Sequence, residues 1–142
     1  MTTPADQPAD LLAFIRSQLD EDERVARAVP EAPWGGRSDS TGYPDIISVP
    51  RDQQHGRDEI VLSDVWRDGI VDYATRFDPA RVLAEVDAKR RILDEYDKAL
   101  NRRRQWPGDL SSAGALLTMV HVVKLLALPF AGHPDYREEW RP

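Results

Sequence analysis

Apolar residues recur three and four positions apart over most of this chain, the spacing that places side chains on one face of an α-helix. Over residues 10–28, Leu11, Ile15, Leu19, Val25 and Ala26 mark such a face, and Leu12 and Phe14 broaden it. Asp10 is the expected N-cap, and the acidic run Asp20, Glu21, Asp22, Glu23 interrupts the stripe. Pro30 and Pro33 stop the helix because proline cannot continue the hydrogen-bond ladder. Over residues 31–63 the helical period is lost. Gly35, Gly36, Gly42, Pro44, Pro50 and Gly56 predict turns, and two β-branched runs, 46–49 and 60–62, predict an antiparallel hairpin with a long polar tip. Two strands alone are marginal in water, so this hairpin must pack on helices, with Trp34 placed to seal the junction.

The helical period returns in two pieces. Residues 64–76 carry Val65, Trp66, Ile70, Val71, Tyr73 and Ala74, with Gly69 weakening the helix. Asp78-Pro79 then restarts it: the aspartate caps free amides, and proline suits the first helical position. This helix is expected to reach about Arg104, burying Leu83, Val86, Leu93, Tyr96 and Leu100, with Val82 and Ile92 at the edges. Trp106-Pro107-Gly108 breaks the chain, and Asp109 caps a last helix running to about Leu128. Leu116, Met119, Val120, Val122, Val123, Leu126 and Ala127 cover most of its circumference, leaving only Thr118, His121 and Lys124 as a polar edge. A helix so apolar is expected to be wrapped on several sides and to form the core. In the tail, Pro134 starts a short turn that sets Tyr136 and Trp140 on one face, so the tail is expected to dock. The fold expected is mainly α (α+β), with about four main helices packed around the apolar C-terminal one and a small antiparallel β-hairpin. It is read as a single domain over 1–142, with residues 1–9 flexible, 31–63 turn-rich and 64–142 helical.

Composition narrows the chemistry. The chain of 142 residues contains no cysteine, which excludes disulfides, thiolate metal sites and cysteine nucleophiles. Its N-terminal stretch is polar and lacks a basic start, so no signal peptide is expected. The longest apolar segment, residues 113–130, is broken by Thr118, His121 and Lys124 and is short for a bilayer span. A cytoplasmic protein with no membrane partner is expected. Net charge is −6, which opposes nonspecific binding to nucleic acid.

The spacing of candidate residues matches no familiar site. His55, His121 and His133 lack the helical pairing of a zinc motif, so no metal and no cofactor are expected. Gly35-Gly36 matches neither dinucleotide nor phosphate-loop patterns, and no GxSxG elbow is present, so no catalytic residue is assigned. The carboxylate clusters at 20–23, 94–95 and 138–139 read as solvated surface. On the long helix, Glu85 precedes Lys89, Asp87 precedes Arg91 and Asp94 precedes Lys98 by four, a spacing that predicts ion pairs. Arg102, Arg103 and Arg104 fall in its last turn, where cations complement the helix dipole, so binding of nucleic acid through them is the lesser reading. Arg90 lies inside the apolar stripe and must reach outward or meet a carboxylate, most simply on the acidic face of the first helix.

The run from Asp78-Pro79-Ala80-Arg81 through Arg90-Arg91-Ile92-Leu93 resembles the central helix of a family of small uncharacterised proteins of actinobacteria and their phages. His133-Pro134-Asp135-Tyr136-Arg137-Glu138-Glu139-Trp140-Arg141-Pro142 is similar to that family's C-terminus, and Asp10-Leu11-Leu12-Ala13-Phe14-Ile15 with Ala32-Pro33-Trp34 to its N-terminal third. The segment 35–63 matches poorly. Many members carry histidine before the Asp-Pro where this chain has Phe77. The resemblance implies a fold and no activity.

The function expected is therefore a non-enzymatic binding or accessory protein acting through protein–protein contacts, with Trp34, Trp66 and Trp106 as exposed aromatic candidates and a monomer as the expected state. A second reading is a small-ligand or enzyme site between tail and hairpin, drawing on Trp34, Arg90, His133, Asp135, Tyr136 and Arg137. A third is nucleic-acid binding through Arg102, Arg103 and Arg104.

Overall fold

The computed structural model describes residues 7–38, 42–49, 58–67 and 69–142. Among them are four α-helices, a three-stranded antiparallel sheet and two short 3-10 turns. The chain divides into two compact units, one made of residues up to Asp20 together with Asp87–Pro142, the other of Glu21–Val86. Helix α1 (Gln7–Ala28) and helix α3 (Pro79–Gln105) each run through a boundary between them.

In the first unit, α1 begins at Gln7, three residues before the expected cap, because Pro8 is well suited to a first helical turn. Leu11, Leu12, Phe14, Ile15 and Leu19 are all buried, as the spacing predicts. The same holds on α3 for Leu93 and Tyr96, joined by Ala99. Two ion pairs link the helices: Arg16 to Asp97 at 2.9 Å and Arg90 to Asp20 at 2.7 Å. Helix α4 (Leu110–Ala127) is capped as expected, Asp109 accepting from the amides of Ser111 and Ser112 at 3.1 and 3.0 Å.

The expectation that α4 is the wrapped core is met only in part. Only Ser112, Val123 and Ala127 are buried along it. Leu116, Met119, Val120, Val122 and Leu126 are half-buried, while Leu110, Leu117 and Leu125 lie in solvent. An apolar circumference does not ensure enclosure, since a helix buries only the faces its neighbours cover, and this unit covers one. The helical segment also proves longer than the apolar run suggests. With the 3-10 turn Leu128–Phe130 it spans 21 residues at a mean hydropathy of 1.8, enough in length and composition to cross a membrane. One such helix is weak evidence for a span, and Lys124 on it donates to the carbonyls of Glu139 and Arg141 at 3.3 and 3.1 Å.

The second unit holds the sheet. Strands β2 (Asp45–Ser48) and β3 (Glu59–Leu62) form the predicted hairpin, pairing Ile47 with Ile60 and Ser48 with Glu59, with an irregularity between Ile46 and Ile47. The predicted tip lies largely outside the described residues. A further strand, β1 (Trp34–Arg37), pairs antiparallel with β2, where the glycines predicted only a turn. Gly36 is needed there for close approach: a Cβ on it would lie 2.7 Å from Cγ1 of Val71 on helix α2 (Ile70–Arg76). That helix is shorter than its predicted 64–76. Gly69 takes φ of 83° at its N-cap and Asp64 takes φ of 54°, so the chain turns before the helix can start. Val65 instead donates to the carbonyl of Pro44 at 2.8 Å, and Trp66, placed in the apolar stripe, is exposed under the Arg67 guanidinium. Asp78 caps α3 as expected, accepting from the amide of Arg81 at 3.1 Å.

Candidate functional site

The tail residues come together in the first unit. Phe14 meets the rings of Phe130, His133, Tyr136 and Trp140 at centroid distances of 6.3, 5.5, 6.1 and 5.0 Å. Tyr136 and Trp140 stand edge to face at 5.7 Å, as their spacing predicts, although the turn that carries Trp140 is the 3-10 helix Glu138–Trp140. Arg137 is drawn to Asp10 at 2.8 Å. His133 accepts through Nδ1 from the amide of Asp135 at 3.1 Å. Asp135, Tyr136 and Arg137 line a shallow hollow of about 500 Å³, but His133, Tyr136 and Arg137 are engaged in fastening the tail to Phe14 and Asp10 of α1, and among the described residues Asp135 contacts only His133 within the tail. The docked tail is a clasp.

Arg90 is held by Asp20 at the rim of a separate polar hollow with Arg16, Asp87, Arg91 and Asp94. The ion pairs expected along α3 form only in part. Arg91 pairs with Asp87 at 2.8 Å, but Glu85 takes Arg81 at 2.9 Å and Lys98 takes Glu95 at 2.7 Å. Equal reach to carboxylates three or four residues away lets each choose either neighbour.

A larger hollow, about 620 Å³, lies at the end of α3 and is lined by Lys98, Asn101, Arg102, Gln105, Trp106 and Asp109. None of Arg90, His133 or Tyr136 lines it. Arg103 donates to the carbonyl of Pro107, closing the last turn, and Trp106 stays exposed.

Trp34 belongs to the second unit, and the other ligand candidates belong to the first. Its indole Nε1 donates to the carbonyl of Pro30 at 2.8 Å and its amide donates to Asp78 at 3.4 Å, which fixes the ring. The ring walls an apolar groove of about 340 Å³ with Val25, Val29, Phe77, Pro79 and Val82. Phe77, where the resemblance leads one to expect histidine, contributes an apolar wall to this groove and carries the Arg81 guanidinium 4.2 Å over its ring. Among the described residues, no group of three or more histidines and carboxylates is placed to hold a metal ion.

The surface that sequence reasoning missed is the outer side of α4. Leu110 is 87% exposed, Leu117 72% and Leu125 45%, and Gly114, Thr118 and His121 lie exposed on the same side. The signal was available in the spacing of these leucines, but a stripe facing solvent and a stripe facing a core look alike in a helix that is apolar all round.

A model of a family of unknown function, DUF6221, matches residues 8–142. The chain belongs to this family. The match covers both units, including the sheet segment where the resemblance by motif was poor. No curated protein matches, and no solved structure does. The family brings no activity with it, so function has to be argued from the surface.

Proposed function

We propose that this member of the family is a non-enzymatic binding or accessory protein that works through protein–protein contact, with the outer side of α4 as the contacting surface. The observation that carries this reading is the line of exposed leucines at 110, 117 and 125. Removing a leucine side chain from water is worth about 1.5–3 kcal/mol, so leaving three of them bare on one helix is costly unless something covers them. Leucines exposed in a row along one side of a helix suit a contact surface. The fastened tail supports another role less well, since Arg137 is occupied by Asp10, and at the basic end of α3 Arg103 is already taken by the carbonyl of Pro107.

The chain has no cysteine, so one introduced thiol reports one place. A photoreactive probe on Leu117→Cys is expected to form a discrete protein adduct under native conditions, and the same probe on Asp87→Cys is not. The adduct should vanish when Leu125→Asp is added. Absence of any protein adduct specific to position 117 would end this reading.

A second reading has its own observation. The Trp34 groove is apolar, fixed by two hydrogen bonds and of a volume within the roughly 300–1,000 Å³ of small-ligand pockets. Quenching of Trp fluorescence by a panel of apolar ligands, lost in Trp34→Ala but kept in Trp106→Ala, is the expected result if it holds a small molecule. Equal quenching in both variants refutes it.

A further inference from the structure

The four tryptophans of the chain differ in how they are held. Trp34 is fixed by two hydrogen bonds, Trp140 is buried, and Trp66 carries the Arg67 guanidinium 4.8 Å over its ring. Trp106 is 60% exposed, and among the described residues its ring has no aromatic or cationic neighbour and its indole N–H has no acceptor. The turn beneath it is nonetheless well fastened. The amide of Trp106 donates to the carbonyl of Arg102 at 2.9 Å, and its own carbonyl accepts from the amide of Asp109 at 3.1 Å and the hydroxyl of Ser112 at 3.3 Å. The main chain is pinned while the ring stays bare beside the hollow it lines.

The same hollow is lined by one stripe of α3. Lys98, Asn101, Arg102 and Gln105 recur at the three- and four-residue spacing that keeps side chains on one side of a helix. Lys98 is taken by Glu95 at 2.7 Å, and the Asp109 carboxylate by the amides of Ser111 and Ser112. Among the described residues, the side chains of Asn101, Arg102 and Gln105 have no partner. Together with the indole they match one chemistry. A guanidinium presents planar N–H donors and a permanent charge to a phosphate. Each carboxamide both donates and accepts, as the edge of a nucleobase does. A bare indole is a face on which a base stacks. The volume, about 620 Å³, lies within the roughly 300–1,000 Å³ of small-ligand sites.

We propose that the hollow at the end of α3 binds a nucleoside monophosphate, with the base on Trp106 and against the carboxamides of Asn101 and Gln105, and the phosphate on Arg102. Charge selects this ligand over a nucleic-acid strand. Arg103 is taken by the carbonyl of Pro107, so the arginine triplet does not act as one patch, and a chain of net charge −6 repels a long polyanion. One uncommitted guanidinium in the hollow suits one phosphate. A neutral sugar would leave that guanidinium without a counter-charge, and an apolar molecule would desolvate three polar side chains without pairing them. Neither the exposed leucines of α4 nor the Trp34 groove takes part.

The test titrates adenosine monophosphate into the full chain and follows the indole N–H resonance of Trp106, assigned by its absence from Trp106→Leu. A saturable shift is expected, with a Kd of roughly 0.1 mM because the hollow is open on one side. Adenosine and ribose 5-phosphate each carry half of the ligand and should bind about tenfold more weakly. Arg102→Gln should lower the monophosphate to the level of adenosine, and Trp106→Leu, read by calorimetry, to that of ribose 5-phosphate. Both side chains are exposed, so the thermal unfolding of both variants should match the parent. No shift at about 10 mM monophosphate overturns the inference. So does equal affinity for adenosine and its monophosphate, or an Arg102→Gln variant that binds as tightly as the parent. A single strand of about twelve nucleotides that binds more tightly than the monophosphate also overturns it, since the site would then serve a strand.

Discussion

Trp140 offers the sharpest test of how the tail is held. Its side chain is 3% exposed, with Phe14 at 5.0 Å, Tyr136 edge-on at 5.7 Å and the Arg137 guanidinium 5.3 Å over the ring. Truncating a buried tryptophan to alanine costs about 3–5 kcal/mol, the upper end applying where surroundings cannot collapse. Here Glu138, Glu139 and Arg141 are exposed on either side, so the tail can settle into part of the space and the lower end applies. Trp140→Ala is therefore expected to cost about 3 kcal/mol. The indole Nε1 has no acceptor among the described residues, and burying such a donor unpaired costs about 1–3 kcal/mol. Trp140→Phe removes that donor and keeps a ring against Phe14. Its lost volume and its removed penalty offset each other, and the variant should lie within about 1 kcal/mol of the parent. Urea unfolding of the full chain, followed by far-ultraviolet circular dichroism, gives both values if the slope is unchanged. The reasoning is refuted if alanine costs under about 1 kcal/mol, or if phenylalanine is as damaging as alanine.

Three further outcomes are expected. Gly36→Ala places a methyl 2.7 Å from Cγ1 of Val71 and should destabilise by about 1–3 kcal/mol; adding Val71→Ala should recover part of that loss, and strictly additive costs in a double-mutant cycle would show that the two do not meet. The Glu21 carboxyl is held below its ordinary value by its hydrogen bonds with Arg24, at 2.6 and 2.8 Å. A depressed carboxyl contributes stability above its unfolded pKa and loses it as pH falls through the folded one, so Arg24→Gln should move the Glu21 titration upward by carboxyl NMR, and an unmoved titration refutes the pairing. Burial, with the Asp97 carboxylate, raises the Tyr96 phenol above its usual value. Its contribution is intact below the unfolded phenol pKa and declines as pH rises through the folded one; absorbance titration should show a tyrosine step above the ordinary phenol range that disappears in Tyr96→Phe.

What could be read from residues alone followed the strength of local signals. Asp78-Pro79 and Asp109 each combine a capping carboxylate with a helix-compatible successor, and both caps form where expected. The hairpin was legible because β-branched runs flanked by turn residues have few other uses. Strand β1 was not, since Trp34-Gly35-Gly36-Arg37 has almost no strand propensity and is recruited by the vacant edge of β2 and by Val71, both distant in sequence. The start of α2 was misplaced because the backbone at Asp64 and Gly69 turns left-handed, a tertiary choice that periodicity does not register. Arg90 is instructive in the other direction: a charge within an apolar stripe demands a partner, and Asp20 supplies it. That α4 is wrapped only in part has one cause. Periodicity reports which residues share a side, and nothing in a uniformly apolar helix reports which sides a small unit can cover.

The route of the chain through its first unit has a cost in time. Residues up to Asp20 and those from Asp87 onward share one hydrophobic interior, whereas Glu21–Val86 is continuous. On a ribosome, Leu11, Phe14, Ile15 and Leu19 emerge long before the aromatic rings that close over Phe14, which belong to Phe130, His133, Tyr136 and Trp140. Until those rings follow, nascent α1 waits greasy and unshielded. Chaperone demand during synthesis, and the yield lost when codons 130–140 are deleted, both follow from that delay.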